Sequence, residues 1–300
     1  MANIITDLKD IRIAQTALMP WMTELMPLSV FSTNLSSEVA DQGDTVKVPV
    51  IGAPSPSSDF TGSYLPAADS EASSVPVTLD RHKYKTVYLS AKEADVTAIP
   101  LLEKLVSTAA QQLAIDVLTD IFSVVTKANF KAAAENVTTY DFDYKAILKV
   151  RESCNKAKIP KDKRSLVLNT SLNTALLADD IVAKSFITSL AQPGVVEARV
   201  SRIAGMPVYE TDCVPDNNEH LAGFVAHPSA IAVAMRYLQP IASYDEAGAV
   251  TDPVTGLTFG YLRYTDTATN KVYITLEALY GYKVIRKDAL QRITVASSAP

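Results

Sequence analysis

The sequence has few cysteines and no long hydrophobic run, and both shortages narrow the class of protein. Only two of the 300 residues are cysteines, Cys154 and Cys213, so a disulfide framework is not available and the cytosol is the default compartment. No stretch approaches the roughly 18 uncharged apolar residues of a transmembrane helix. The N-terminal segment MANIITDLKDIRIAQTALM mixes charged with apolar residues, and we therefore expect no signal peptide.

Positive charge is scarce as well. The formal net charge is -5 at pH 7, which disfavours proteins that bind nucleic acid through a broad basic face. It does not prevent an acidic protein from enclosing DNA. No lysine or arginine lies between Lys47 and Arg81, a segment whose acidic residues include Asp59, Asp69 and Glu71.

The motifs of common enzyme classes are missing. The sequence contains no GxGxxG, no Walker P-loop and no GxSxG, and its ten glycines do not cluster as a phosphate-binding loop requires. Ser153 and Lys156 match the S-x-x-K pattern of acylating serine enzymes, but the companion SDN and KTG elements are absent and the site falls on an amphipathic helix. A hydrolytic enzyme is therefore only a remote alternative.

One segment, TDCVPDNNEH, collects potential metal ligands. One cysteine and one histidine supply half a zinc site at best, and Asp, Asn and Pro together are more typical of a turn that closes a strand. We therefore expect no metal and no cofactor, although an enzyme that uses Cys213 and His220 stays open. The candidate ligands are Asp212, Cys213, Asp216, Glu219 and His220. The other two histidines, His82 and His227, are interpreted as hydrogen-bonded structural residues.

Two strand-like segments flank a long insert. Residues 45–50 (TVKVPV) and 74–79 (SVPVTL) alternate apolar and polar side chains, and the second pattern continues towards residue 90. Prolines inside both strands suit a two-stranded ribbon, so the sequence predicts a long exposed hairpin over 43–90. A disordered loop is the alternative for the insert. Its large apolar residues, Phe60, Tyr64 and Leu65, favour burial against another surface instead.

Residues 100–126 give the strongest periodic signal. Apolar pairs recur every four residues from 101/102 to 121/122, and Pro100 suits the first helical position. Four residues turn about 400° on a helix, so the apolar stripe winds around the axis. The pattern predicts a helix that lies across a sheet rather than along one parallel partner.

The rest of the chain mixes helices and strands without a regular βαβ order, which predicts the α+β class. Residues 1–42 are expected to form an extended arm with a helical turn or two, whose Trp21 and Phe31 need another surface. Further predictions are a helix at 141–157, a strand at 164–169, a helix capped by Thr170 or Ser171, a strand at 206–214, a strand that breaks at His227-Pro228 into a short helix within 223–236, and long C-terminal strands with a turn near Thr269-Asn270.

The order of these pieces resembles the major capsid protein of tailed bacteriophages, which has the Hong Kong 97 fold. The resemblance covers nearly the whole chain. It depends on the arm, the hairpin, the helix at 100–126 and four later segments in sequence order: RSLVLNTSLNTALL, RIAGMPVYETDCVP, GFVAHPSAIAVAMR and ALYGYKVIRKDALQRI.

The resemblance implies a shell-forming protein without a reaction of its own. It implies an N-terminal arm at 1–42, an extended loop at 43–90 that lies over the neighbouring subunit, a peripheral domain at 91–139 and 256–300 with a spine helix at 100–126, and an axial domain at 140–255. The expected contacts between subunits involve Phe60, Tyr64, Leu65, Trp21 and Phe31. Some members join neighbours through an isopeptide bond from a lysine on the extended loop. This chain has no lysine between Lys47 and Lys83, so we expect a shell held non-covalently.

The resemblance also implies the partners. Many copies would assemble as hexamers and pentamers into an icosahedral shell around double-stranded DNA, without sequence-specific binding and without a membrane. The virion is the expected location, with assembly in the host bacterial cytoplasm. No coiled coil rich in Lys and Glu precedes the arm, so we expect a separate scaffolding protein, together with a portal. An encapsulin-like nanocompartment is the alternative shell.

Overall fold

The computed structural model describes residues 6–33, 45–51, 59, 60, 62, 72–96, 101–138, 141–182, 200–241 and 243–296. Its α-helices are α1 (Thr6–Leu25), α2 (Ala91–Val96), α3 (Leu101–Phe122), α4 (Tyr144–Lys156) and α5 (Thr170–Ala178), with 3-10 helices at Met26–Val30 and Lys287–Ala289. Its strands are β1 (Thr45–Ile51), β2 (Ala72–Thr78), β3 (Arg81–Ser90), β4 (Glu135–Val137), β5 (Ser165–Leu168), β6 (Arg202–Ile203), β7 (Met206–Glu210), β8 (Leu221–Ala226), β9 (Ile231–Arg236), β10 (Glu246–Thr251), β11 (Thr258–Asp266), β12 (Lys271–Val284) and β13 (Leu290–Val295).

The described strands form three sheets. β1 and β2 make a two-stranded ribbon, and a second sheet has the order β10-β11-β12-β3, with β9 also paired to β12. The third sheet has the order β4-β13-β8-β5-β7-β6. Parallel and antiparallel pairs occur together with helices, which confirms the predicted α+β class.

Helix α3 confirms the winding apolar stripe. Its buried residues come in pairs four residues apart, at 109/110, 113/114, 117/118 and 121/122. One side of the helix packs on α1, and other parts of it contact β3 and β12, so the helix does lie across a sheet. It ends at Phe122, four residues before the predicted end, and residues 123 and 124 form a turn. None of the described helices is long and apolar enough to cross a membrane.

The N-terminal segment differs from the predicted extended arm. Residues 6–25 form one helix of 20 residues with Pro20 inside it. Ala17, Trp21 and Leu25, spaced four residues apart, are fully buried in the cluster that contains the α3 stripe. Burial of this stripe outweighs the backbone hydrogen bond that a proline inside a helix removes.

Two local predictions are also wrong. Asn169, rather than Thr170 or Ser171, caps α5: its side-chain oxygen accepts a hydrogen bond from the backbone N–H of Leu172 at 3.0 Å. The segment after His227-Pro228 is strand β9, which pairs with β12, and not a helix. Five of the six β9 residues are buried, and a short run that is apolar throughout has no period that separates strand from helix.

The buried residues form two large clusters. One contains α1, α3 and the five-stranded sheet, and the other contains α4, α5 and much of the six-stranded sheet. The predicted boundary near residue 255 does not follow sheet membership, since β9 and β10 precede it and belong to the five-stranded sheet. Strand β13, beyond that boundary, pairs with β8 in the other sheet.

Candidate functional site: the ribbon and its base

The ribbon of β1 and β2 is paired as the sequence predicts. The two strands are antiparallel, from Thr45 opposite Thr78 to Ile51 opposite Ala72. The predicted hairpin extended to residue 90, but β3 is a separate strand that pairs with β12. The hairpin is therefore shorter than 43–90, and the chain passes from one sheet to another through Leu79 and Asp80.

The base of the ribbon is attached to the body of the chain by apolar contacts. Val46, Val77 and Leu79 are buried together with Ala232 and Ala234 of β9. Further from the base, the described ribbon residues are half-buried or exposed. The ribbon thus has a buried foot and an outer part that is open to solvent.

A glycine under the ribbon base allows a close backbone approach. A Cβ built on Gly281 of β12 would overlap the carbonyl oxygen of Thr78, and it would lie 2.7 Å from the carbonyl carbon of Thr78 and 3.1 Å from Cα of Leu79. Backbone atoms cannot rotate away as a side chain can. Only glycine therefore fits at position 281 with the ribbon base where it is.

The predicted contact residues fall into different environments. Phe60, which lies between β1 and β2 in the sequence, is 66% exposed, while Tyr64 and Leu65 lie outside the described residues. Trp21 and Phe31 lie in the core of their own chain: Trp21 packs on Phe259 with ring centroids 4.9 Å apart, and Phe31 is 3% exposed. Trp21 and Phe31 are expected from the sequence to pack against another surface, and their own chain supplies that surface. We therefore assign them no contact with a neighbour.

A row of tyrosines crosses the face of the five-stranded sheet opposite α3. The ring centroids of Tyr264 and Tyr273 lie 4.9 Å apart, those of Tyr88 and Tyr273 lie 5.8 Å apart, and Tyr244 lies 6.1 Å from Tyr264. The sequence shows many tyrosines in this region but not their alignment, which depends on the register of three strands. The row ties these strands together and presents aromatic surface to solvent.

The S-x-x-K pair does not form a nucleophile and base. The Ser153 hydroxyl donates to the side-chain oxygen of Gln291 at 3.2 Å, and the Lys156 ammonium contacts Glu152 at 2.7 Å. Both residues lie on α4, and each side chain contacts a different partner. This geometry lends no support to the hydrolytic alternative.

The segment 211–220 is a turn, as its composition predicts. The backbone N–H of Glu219 donates to the carbonyl of Asp216 at 3.0 Å, and Asn217 and Asn218 have positive φ. Burial raises the pKa of the Cys213 thiol, and the Glu219 carboxylate pairs with Arg292. In the part of the chain that the structure describes, no three His, Cys, Asp or Glu residues are placed to hold a metal ion.

Both remaining histidines have hydrogen-bond partners, which confirms their structural interpretation. His82 Nε2 lies 3.1 Å from Glu277 Oε2 across two neighbouring strands. His227 Nδ1 lies 2.8 Å from the Ser229 hydroxyl and accepts the Ser229 backbone N–H at 3.2 Å. The second contact requires an unprotonated Nδ1, so His227 stabilises the turn between β8 and β9 in its neutral form.

We expect His227 to make folding stability depend on pH. Burial, the largest cause, lowers the pKa of His227 below its ordinary value of about 6.5. The contribution to the free energy of unfolding is then complete above that value and is lost as pH falls through the folded-state pKa, because the unfolded chain binds the proton first. Urea unfolding at several pH values gives the free energy of unfolding as a function of pH. This free energy should change less with pH in His227→Gln than in the wild type. The exposed His220, replaced by Gln, serves as the control, and equal slopes in wild type and His227→Gln would contradict the expectation.

Solved structures share this arrangement. A chain from Mycobacterium phage Che8 superposes with a TM-score of 0.61 at 18% identity, covering 88% of this chain and 89% of that one. A capsid structure of the cyanophage P-SCSP1u gives a TM-score of 0.59 at 13% identity and covers 86% and 85% of the two chains. A chain of the mature capsid of bacteriophage PhiM1 gives a TM-score of 0.57 at 12% sequence identity, and the match covers 87% of this chain and 85% of that one. No protein-family model and no curated protein matches the sequence.

The match extends over most of both chains in each case, so it concerns the whole fold and not a shared fragment. The mixed helices and sheets and the coverage agree with the architecture that the sequence resemblance implies. The Hong Kong 97 type capsid fold is therefore confirmed for this chain at the level of the fold.

Proposed function

We propose that this chain, which has the Hong Kong 97 type capsid fold, is the major capsid protein of a tailed bacteriophage. Many copies assemble into the icosahedral head shell that encloses double-stranded DNA. The observation that carries the proposal is the likeness to chains of phage capsids over more than four-fifths of both lengths. The hydrolytic alternative gains no support from the contacts of Ser153, Lys156 or Cys213.

The mechanism that we propose is the sum of many interfaces. The ribbon has an anchored foot and an exposed outer part, so it can reach a neighbour without losing its own attachment. One such contact is weak, but contacts repeated around hexamers and pentamers add avidity that no single interface supplies. The division into an N-terminal arm, an extended loop, a peripheral domain and an axial domain remains part of this proposal, with the extended loop ending at the base of the ribbon near Thr78 and not at residue 90.

The acidic character of the chain suits a container. A net charge of -5 disfavours a broad basic face, so packaged DNA would not adhere strongly to a wall of this protein and could leave it. DNA is then enclosed without sequence-specific contacts. We further propose a separate scaffolding protein and a portal as partners during assembly in the bacterial cytoplasm.

Electron microscopy of the purified protein tests the proposed function. Closed particles that contain nucleic acid would support a phage head, and empty particles or particles filled with protein cargo would favour the encapsulin-like alternative. A monodisperse species of 32.4 kDa under every assembly condition, including added scaffolding protein, would contradict any shell.

We expect the shell to be held without covalent links between subunits. Lys47 lies at the foot of the ribbon, and the Lys83 ammonium donates to the carbonyl of Asp116 on α3, so neither lies on the outer part of the hairpin. No lysine stands between these two in the sequence. Assembled particles that are boiled in SDS should run as single chains, and a ladder of covalent oligomers would contradict this expectation.

Replacement of Phe60 should weaken assembly. Phe60 is 66% exposed in the single chain, so Phe60→Ser should remove little from the chain's own core, and its expected main loss is apolar contact with a neighbour. We expect a higher protein concentration to be needed for assembly, by about ten-fold if a contact worth about 1.4 kcal/mol is lost. Light scattering against concentration measures this value.

The matched control for Phe60 is Val254, another large apolar residue on the surface. It is 62% exposed at a turn between β10 and β11, and Val254→Ser should assemble like the wild type. If Phe60→Ser assembles at the same protein concentration as the wild type and Val254→Ser, Phe60 does not contact a neighbour.

A further inference from the structure

We infer that Asp120 on α3 is a positioning residue that fixes the direction in which the ribbon leaves the body of the chain. It does so by holding both members of the last residue pair between β3 and β12. The inference rests on the proposed function only in one respect, namely that the ribbon is the part that meets a neighbour. The geometry of the single chain carries the rest.

The pair in question lies at the end of the β3–β12 ladder nearest the ribbon. Arg81 is the first residue of β3 and stands opposite Tyr280 of β12. Only Leu79 and Asp80 separate Arg81 from the last residue of β2. The end of a ladder opens more easily than its middle, because backbone hydrogen bonds hold it from one side only. Opening of this pair would release the link to the ribbon.

Both side chains of this pair converge on one carboxylate. Nη1 of Arg81 donates to Asp120 Oδ1 at 2.7 Å and to Oδ2 at 2.8 Å. The hydroxyl of Tyr280 donates to Asp120 Oδ2 at 2.7 Å. Since Asp120 belongs to α3, these bonds tie the end of the ladder to a helix that packs along the core.

The surroundings strengthen the contact. The Asp120 side chain is 19% exposed and the Arg81 side chain 43% exposed, so water screens the charge pair less on the Asp120 side than on an open surface. The guanidinium of Arg81 also lies over the ring of Tyr282, 4.6 Å from its centroid. Burial and the Asp120 carboxylate raise the pKa of Tyr280, which keeps its hydroxyl protonated as the donor.

The other contacts of the ribbon foot fix its position less specifically. Val77 and Leu79 pack on Ala232 and Ala234, and all of these contacts are apolar. Gly281 permits the close approach of the Thr78 backbone but offers no side chain to hold it. Apolar contact is non-directional, whereas the charged hydrogen bonds to Asp120 are directional. Directional control at this joint therefore comes from Asp120.

Distance measurements between two spin labels test the inference directly. One label is placed at the exposed Ser74 of β2 and the other at the exposed Thr267 in the turn between β11 and β12, each through a cysteine, because the native Cys154 and Cys213 are buried. The full-length chain is measured by double electron–electron resonance after dilution with unlabelled chain, so that only distances within one chain contribute. We expect a single maximum for the wild type and loss of that single maximum for Asp120→Asn.

Asp116 supplies a matched control on the same helix. Its carboxylate accepts a hydrogen bond from Gln112 at 2.9 Å, and the Asp116 atom that contacts β3 is the backbone carbonyl, which the change leaves in place. Asp116→Asn removes the same charge one turn away and should keep the wild-type distance distribution. A purely structural role of Asp120 would lower thermal stability in Asp120→Asn without altering the distances in the folded chain.

A second variant guards against misfolding. Arg81→Lys keeps the positive charge but replaces the planar guanidinium, which contacts Asp120 and lies over the Tyr282 ring, with a compact ammonium, so it should broaden the distribution less than Asp120→Asn. Unchanged distributions in both variants would overturn the inference, whatever the particles look like. Altered distances in variants that still form normal particles would show that assembly does not depend on the direction of the ribbon. That result would argue against the proposed role of the ribbon.

Discussion

Trp21→Ala should lower the free energy of unfolding by about 3–5 kcal/mol, the range found when large aromatic side chains are removed from protein cores. Trp21 is fully buried and lies on α1, in the segment for which the sequence predicts an extended arm. Its ring packs on Phe259 of β11, so it joins the N-terminal helix to the five-stranded sheet. The loss would therefore affect the attachment of α1 as well as the core volume.

Two further changes separate these effects. The indole N–H of Trp21 has no hydrogen-bond partner among the described residues, so Trp21→Phe loses volume but no hydrogen bond and should cost clearly less than the change to Ala. Met19 is 67% exposed on the same helix, and Met19→Ala should leave stability within about 0.5 kcal/mol of the wild type. Urea unfolding measures all three. A loss below about 1 kcal/mol for Trp21→Ala would show that α1 is not part of the cooperative core.

Long elements with a regular pattern were predictable from the sequence. Helix α3 was found because its apolar pairs recur every four residues over more than 20 positions. The ribbon was found because two alternating strands carry prolines that suit an edge. Both signals are local, since each depends only on neighbouring residues along the chain.

The predictions that failed depend on partners that the local pattern does not reveal. Helix α1 is stabilised by burying Ala17, Trp21 and Leu25 in the core that it shares with α3, and Pro20 hides that pattern in the sequence. Strand β9 is buried on both faces, so its apolar run lacks the alternation that marks a strand. In both cases tertiary contacts decide the secondary structure.

The candidate site was predictable in outline but not at its joint. Phe60 could be singled out from the sequence because it is a large apolar residue in a polar insert, and the structure shows it exposed. Asp120, in contrast, is 39 residues from Arg81 and 160 residues from Tyr280 along the sequence, and three charged or polar residues at such distances carry no recognisable motif. Only the pairing of β3 with β12 and the crossing of α3 bring them together.

Gly281→Ala should displace the foot of the ribbon and thereby prevent normal assembly. The added methyl group would overlap the Thr78 carbonyl oxygen, which belongs to the backbone and cannot rotate aside. Overpacking of this kind costs about 1–3 kcal/mol in a well-packed core, and the chain can avoid it only by moving β2 away from β12. That movement would separate Thr78 and Leu79 from the sheet and redirect the outer part of the ribbon.

Gly260 on the neighbouring strand β11 provides the matched control. A Cβ there would lie 2.8 Å from the ring of Tyr237 and 3.1 Å from Cγ of Glu277, and both are side-chain atoms, which can move aside more easily than backbone atoms. Gly260→Ala should therefore fold and assemble nearly as the wild type does, although it adds the same methyl group. Hydrogen exchange measured along the chain should show faster exchange at 72–81 for Gly281→Ala alone. Equal protection of this segment in the two variants would mean that the ribbon foot does not depend on close backbone contact with β12.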